Sequence, residues 1–187
     1  MKNIVVLASG SGSNLERIIE CTQNGEIHNT QVSLVVADRD CYALQRAKNH
    51  EISNQLIPRG KDFCEKLEEI LPENTDLIVL AGFLSIITKD FAEKYKGKII
   101  NIHPSLLPKF GGKGMWGMNV HKAVIDADEP ESGATVHFVT AGIDEGEIII
   151  QSSVPLSPNE TPESLAEKIH EIEHKIFPEG IRRVLGK

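Results

Sequence analysis

Asn101 and His103 stand two residues apart in NIHPSLLPKF, directly after an apolar run. In an extended strand alternate side chains share a face, so both point one way and Ile102 the other. An imidazole can take and give a proton near neutral pH, its unperturbed pKa being about 6.5. An Asn side-chain N–H is a neutral donor suited to an oxyanion developing on an attacked carbonyl. Pro104 then fixes the chain's exit and narrows the conformations open to His103. The plainer alternative is a strand end with solvated polar residues. Acid–base work next to an oxyanion needs a third group to orient the imidazole or carry protons. Asp144 in GIDEG is the candidate, with Glu145 and Glu147 competing for the role.

A second constellation is SGSGSN, Ser9–Asn14, after the first apolar run. Gly10 and Gly12 permit close backbone approach. The N–H groups of Ser13 and Asn14 then open a helix, where orphan donors and the helix dipole make an anion site. A dinucleotide fingerprint is incomplete, because Leu15 fills the third Gly position, although Asp38 is placed to act as its ribose-binding acid. The chemistry expected is phosphate binding. A third segment, HEIEH at His170–His174, fits the zinc-peptidase pattern with two His on one helix face. No His or Cys follows His174 to complete a ligand set, so helical charge periodicity is the simpler explanation and no metal is expected.

These residues need elements to position them. The first hundred residues repeat a short Val/Ile-rich run, a polar turn and an amphipathic stretch. Strands are expected at Ile4–Ala8, Val32–Ala37, Gln55–Ile57, Leu77–Ala81 and Lys98–Ile102. Helices are expected at Asn14–Cys21, Tyr42–Asn49, Asp62–Leu71 and Lys89–Tyr95. Near-continuous apolar strands alternating with helices predict an α/β fold: a single-domain, Rossmann-like, doubly wound, mostly parallel sheet with helices on both faces. In such sheets ligands bind outside the carboxyl ends of the strands. SGSGSN, AGFLS (Ala81–Ser85) and NIHPS all fall at such ends.

Beyond Pro104 the rhythm changes. FGGKGMWGMN reads as a Gly- and Met-rich surface loop, followed by a short helix near Val120–Ile125. GATVHFVT and GEIIIQSSVPL read as two strands joined by a tight AGIDEG turn. Thr161 as N-cap and Pro162 at the first helical position open a last helix. Its apolar stripe is Leu165, Ile169, Ile172 and Ile176.

The chain of 187 residues, with 40% hydrophobic and 25% charged residues, fits one domain. Its net charge of −7 argues against a nucleic-acid-binding surface, while leaving room for a local basic pocket. Cys21, Cys41 and Cys64 form no CxxC pair and read as reduced, mostly half-buried thiols of a cytoplasmic protein. No long apolar run suggests a membrane span, and no signal peptide is expected.

In order along the chain, VVLASGSGSNL, DLIVLAGFLSII, IINIHPSLLPKF, HFVTAGIDEGEIIIQ and EIEHKIFP resemble the phosphoribosylglycinamide formyltransferases. The resemblance runs essentially end to end. Methionyl-tRNA formyltransferases and formyltetrahydrofolate deformylases carry close variants of NIHPSLLP but add a further domain. It implies the formyltransferase fold over residues 1–187, with a phosphate-binding half (1–100) and a catalytic and folate-binding half (101–187). It implies 10-formyltetrahydrofolate as formyl donor, glycinamide ribonucleotide as acceptor, and no metal, nucleic acid or membrane partner. It also implies Asn101, His103 and Asp144 as catalytic, and Gly12, Ser13, Asn14, Gly82, Pro104 and Glu173 as substrate-binding. Lys61 and the turn Leu84, Ser85, Ile86 and Ile87, with Asn101, fall on the folate side. Ser85 departs from the pattern, since many members have Arg there. The 111–119 loop is longer than in some, and Asn119 replaces a His. The alternatives are a deformylase or a non-catalytic sugar-phosphate-binding module.

Overall fold

A computed structural model describes residues 1–186. The strands are β1 (Lys2–Ala8), β2 (Thr30–Ala37), β3 (Asn54–Leu56), β4 (Thr75–Leu80), β5 (Ile99–His103), β6 (Glu131–Phe138) and β7 (Ile148–Pro155). The helices are α1 (Ser13–Gln23), α2 (Tyr42–Asn49), α3 (Phe63–Ile70), α4 (Lys89–Lys94), α5 (Met118–Asp126) and α6 (Pro162–Leu185). One seven-stranded sheet has the order β3-β2-β1-β4-β5-β6-β7. The first five strands pair in parallel, whereas β5–β6 and β6–β7 are antiparallel.

Strand alternation divides the core in two. Ile4, Val6, Val35, Leu77, Val79, Ile100, Ile102, Ala134 and Val136 pack against α1, α2, α5 and α6. Val5, Leu7, Val36, Ile78, Leu80 and Ile99 pack against α3 and α4 on the opposite face. The central strands are buried on both sides, which is why they read as unbroken apolar runs.

α6 forms as its first residues require. Thr161 and Ser164 make a reciprocal capping box, with Pro162 at the first position. Leu165, Ile169, Ile172 and Ile176 are all buried, each contributing roughly 1.5–3 kcal/mol. Gly180 lets this helix lie close to the sheet, since a Cβ there would come within 2.8 Å of Val136 Cγ1.

Two expectations are corrected. Cys21 and Cys64 are buried and only Cys41 is half-buried. The Cys21 thiol, desolvated and hydrogen-bonded to Glu26, is pushed up to about 12 and is no nucleophile. The β6–β7 connection is also not a tight turn. Antiparallel pairing sets Phe138 level with Ile100 rather than with His103, and Val139 N–H donates to Ile99 O. Residues 139–147 must therefore fold back over the sheet to reach the end of β5.

Candidate active site

β5 continues one residue further than expected and carries His103 as its last residue. Asn101 and His103 share a face, as period-2 geometry requires, and Ile102 faces the other core. His103 is buried, and its Nε2 lies 2.8 Å from Phe110 O. A carbonyl only accepts, so Nε2 carries a hydrogen and Nδ1 is the nitrogen free to exchange a proton. That Nδ1 is 3.5 Å from Asp144 Oδ2.

Asp144 stands at φ 59 on the folded-back connection, with its side chain 11% exposed. Gly112 N–H donates to Asp144 Oδ2 at 2.9 Å, tying the Gly/Met-rich loop to this carboxylate. Glu145 and Glu147 are exposed. Of the three competing acids, Asp144 is the one set against the imidazole.

Sequence reasoning missed His137. It stands directly opposite Asn101 in the β5–β6 register. Its Nδ1–H donates to Phe138 O at 2.9 Å, so Nε2 is left as an acceptor and takes a hydrogen bond from Asn101 Nδ2 at 3.1 Å. The same Nε2 is 3.6 Å from Asp144 Oδ1. Burial holds the His137 pKa below the ordinary value. The signal was present: in GATVHFVT, His137 joins Thr135 as a polar residue on the strand face opposite buried Val136 and Ala134.

The phosphate-side residues also converge. Gly12 sits in the left-handed region at φ 72 and caps α1. A Cβ there would come within 2.8 Å of Ala43 Cα, so both conformation and space demand glycine. Ser13 and Asn14 open α1, leaving their backbone N–H groups at the helix N-terminus. Asn14 Nδ2 donates to Glu173 Oε2 on α6 at 3.0 Å, and buried Asn14 Oδ1 has no partner. Ser9 N–H donates to Gly82 O at 3.1 Å, joining the loops after β1 and β4. Gly82 has φ 67 and open space where a side chain would stand.

In the HEIEH segment of α6, Glu173 has partners within the protein. Glu173 is engaged by Asn14 and by His170 Nδ1 at 3.4 Å, and the His170 and His174 rings lie 4.1 Å apart. The Glu173 carboxylate raises the His170 pKa. Among the described residues, no three His, Cys, Asp or Glu side chains converge as a ligand set.

On the opposite core face, Leu84 and Ile86 are exposed while Ile87 is buried, so Ile87 can present only backbone to a ligand. Leu84 N–H donates to Ser9 Oγ at 2.8 Å. Lys61 lies exposed on the loop before α3. Arg59, two residues earlier, is the one that reaches the turn, donating from Nε to Ser85 Oγ at 3.0 Å. Asp38 does not serve as a ribose-binding acid. Its side chain is fully buried and held by Arg39, Arg59 and Ser85. Pro104 is half-buried directly after His103.

Residues 2–181 match the family model for formyl transferase. The chain is 39% identical over 186 residues to the chloroplastic phosphoribosylglycinamide formyltransferase of Vigna unguiculata, covering 96% of this chain. It spans 60% of that relative's length. It is also 39% identical over 186 residues to the phosphoribosylglycinamide formyltransferase of Haemophilus influenzae, covering 95% of this chain and 84% of the relative. The crystal structure of glycinamide ribonucleotide transformylase 1 from Geobacillus kaustophilus matches with a TM-score of 0.89 and 36% identity, covering 99% of both chains. The chain belongs to the formyl transferase family.

Proposed function

We propose that this protein transfers the formyl group of 10-formyltetrahydrofolate to the primary amine of glycinamide ribonucleotide, a step of purine synthesis. The observation that carries the reading is the joint placement of His103 and His137 against Asp144, with Asn101 held by His137.

The residues fit the two ligands. The backbone donors at Ser13 and Asn14, with the α1 dipole, suit the ribonucleotide phosphate. Glu173 accepts hydrogen bonds, as sugar hydroxyls would require, and the unpartnered Asn14 Oδ1 lies beside it. Exposed Leu84 and Ile86 give an apolar wall for a fused-ring donor, next to the open space over Gly82. The donor supplies the formyl carbon and a nitrogen leaving group.

In this reading the acceptor's nitrogen lone pair forms the new C–N bond, and the carbonyl π pair moves onto oxygen. Asn101 has one Nδ2 hydrogen on His137 and a second for that oxygen. His103 takes up the proton shed by the attacking nitrogen at Nδ1, the atom that its Phe110 bond leaves available. The same nitrogen returns a proton to the departing amine as the C=O re-forms and the old C–N bond breaks. Asp144, facing that nitrogen, stabilises the imidazolium between the two steps.

Incubation with both substrates, followed by the absorbance change of the folate, tests the reaction directly. Turnover that falls by about 10²–10⁴ in His103→Ala, with phosphate-ligand affinity retained, is the expected result. A folded wild-type protein with no turnover overturns it.

A further inference from the structure

Three successive carbonyls of the β1–α1 loop are turned onto partners within the protein. Gly10 O accepts from Ala43 N–H at 3.1 Å, Ser11 O from Arg46 Nε at 2.8 Å, and Gly12 O from Glu16 N–H at 2.9 Å. In a trans peptide the carbonyl of one residue and the N–H of the next point opposite ways. Each of these bonds therefore aims the following N–H away from its partner, and the Ser11 bond aims that of Gly12. N–H groups presented together, with their carbonyls drawn back, have the polarity an anion requires. The bonds to Gly10 and Gly12 come from backbone. The one to Ser11 comes from a side chain of α2, so a single substitution can release it.

The same guanidinium offsets a charge. Glu16 stands in the first turn of α1, where a bare carboxylate would repel an anion at the helix N-terminus. Arg46 Nη1 donates to Glu16 Oε2 at 2.8 Å, and His50 Nε2 lies 2.6 Å from Oε1. Arg46 is itself fixed from a third side, with its Cζ 4.9 Å from the centroid of the Tyr42 ring. A Cβ at Gly12 would meet Arg46 Cδ at 3.2 Å, so glycine is what lets the arginine pack this closely on the loop.

We propose that Arg46 is a positioning residue for phosphate binding, acting through the loop: it turns the Ser11 carbonyl back, so that Gly12 N–H faces the anion, and it neutralises Glu16. This rests on the reading that the loop takes the phosphate of the acceptor. One planar fork serves both partners, which an ammonium cannot do with the same geometry.

Calorimetric titration of the whole protein with ribose 5-phosphate reads the phosphate contact without turnover, and steady-state kinetics separate KM from kcat. Arg46→Met should weaken ribose 5-phosphate about tenfold and raise the KM for glycinamide ribonucleotide by about the same factor. Its kcat at saturation and its affinity for the folate should stay within about twofold of wild type. Adding Glu16→Gln to Arg46→Met should return part of the loss, because the unpaired carboxylate goes while the Ser11 carbonyl stays released. Arg46→Lys should fall between wild type and Arg46→Met, and it carries the same comparison should Arg46→Met not fold. A folded Arg46 variant that binds ribose 5-phosphate as tightly as wild type overturns the positioning role alone. So does an equal loss of phosphate ligand and folate, which is what a merely structural arginine would give. Absence of ribose 5-phosphate binding by wild type overturns the phosphate reading together with the role.

Discussion

Asn101 and His137 hold each other in one orientation: Nδ2 of the amide donates to Nε2 of the imidazole at 3.1 Å across the β5–β6 pair. Because His137 Nδ1–H is spent on Phe138 O, Nε2 cannot donate while the ring is neutral. The pairing therefore decides which end of the Asn101 amide faces the site. His137→Leu should lower kcat by roughly 10- to 100-fold, somewhat less than loss of the donor itself. His137→Gln, which can still accept, should recover part of it. Equal activity in wild type and His137→Leu would refute the orienting role.

The same geometry gives an acid limb. Burial lowers the His137 pKa, and burial likewise lowers those of His121 and His174. A histidine depressed on folding takes up its proton more readily when unfolded. Its stabilising effect is thus fully present above about pH 6.5 and is lost as pH falls towards the depressed folded value. His170, raised by Glu173, opposes this trend. Urea midpoints measured from about pH 8 to about pH 5 should fall on the acid side, and less steeply in His121→Gln. A flat profile would contradict the assignment.

Direct removal of the reacting groups should separate chemistry from binding. Asn101→Ala should cost about 10²–10³ in kcat and His103→Ala about 10²–10⁴. Asp144→Asn keeps an acceptor for Gly112 N–H but loses the charge opposite His103. It should fall in the same range with its KM for the ribonucleotide little changed. A rise in KM as large as the fall in kcat would place Asp144 in substrate binding instead.

Gly12 and Gly10 make a matched pair for stability. Gly12→Ala meets Ala43 Cα at 2.8 Å and must hold φ 72, which together should cost about 2–4 kcal/mol. At Gly10 an added Cβ would have no neighbour within 4 Å, so Gly10→Ala should stay within about 1 kcal/mol of wild type. Denaturant titration of both variants distinguishes steric demand from a general need for flexibility in the loop.

Glu173→Gln should raise the KM for the ribonucleotide about tenfold through the Asn14 contact while leaving donor affinity alone. Dialysis against a zinc chelator should leave activity intact, and metal analysis should find no stoichiometric zinc. Stoichiometric zinc lost together with activity would return HEIEH to a ligand role.

Much of this was readable beforehand because it is local. Val/Ile runs, the Gly-rich turn and the Thr161–Pro162 cap state their conformations within a few residues. The Asn101/His103 pair needs only the period of a strand. What stayed hidden depends on register and crossover. His137 looks like one polar residue in an apolar strand until β6 is known to run antiparallel to β5. Asp144 gains its place over Glu145 and Glu147 only because the 139–147 connection folds back across the sheet. Arg59 and Ser85 are 26 positions apart, and no spacing rule joins them to Asp38.

The hydrogen bond between Asn14 and Glu173 spans 159 positions of the chain. On a ribosome the glycine loop emerges well before its carboxylate partner is made. Until α6 docks on the sheet, Asn14 at the start of α1 has no Glu173 carboxylate to donate to. The last helix to be made completes the first loop, so a chain cut short before α6 would keep the β1–α1 turn and lose the carboxylate that Asn14 faces.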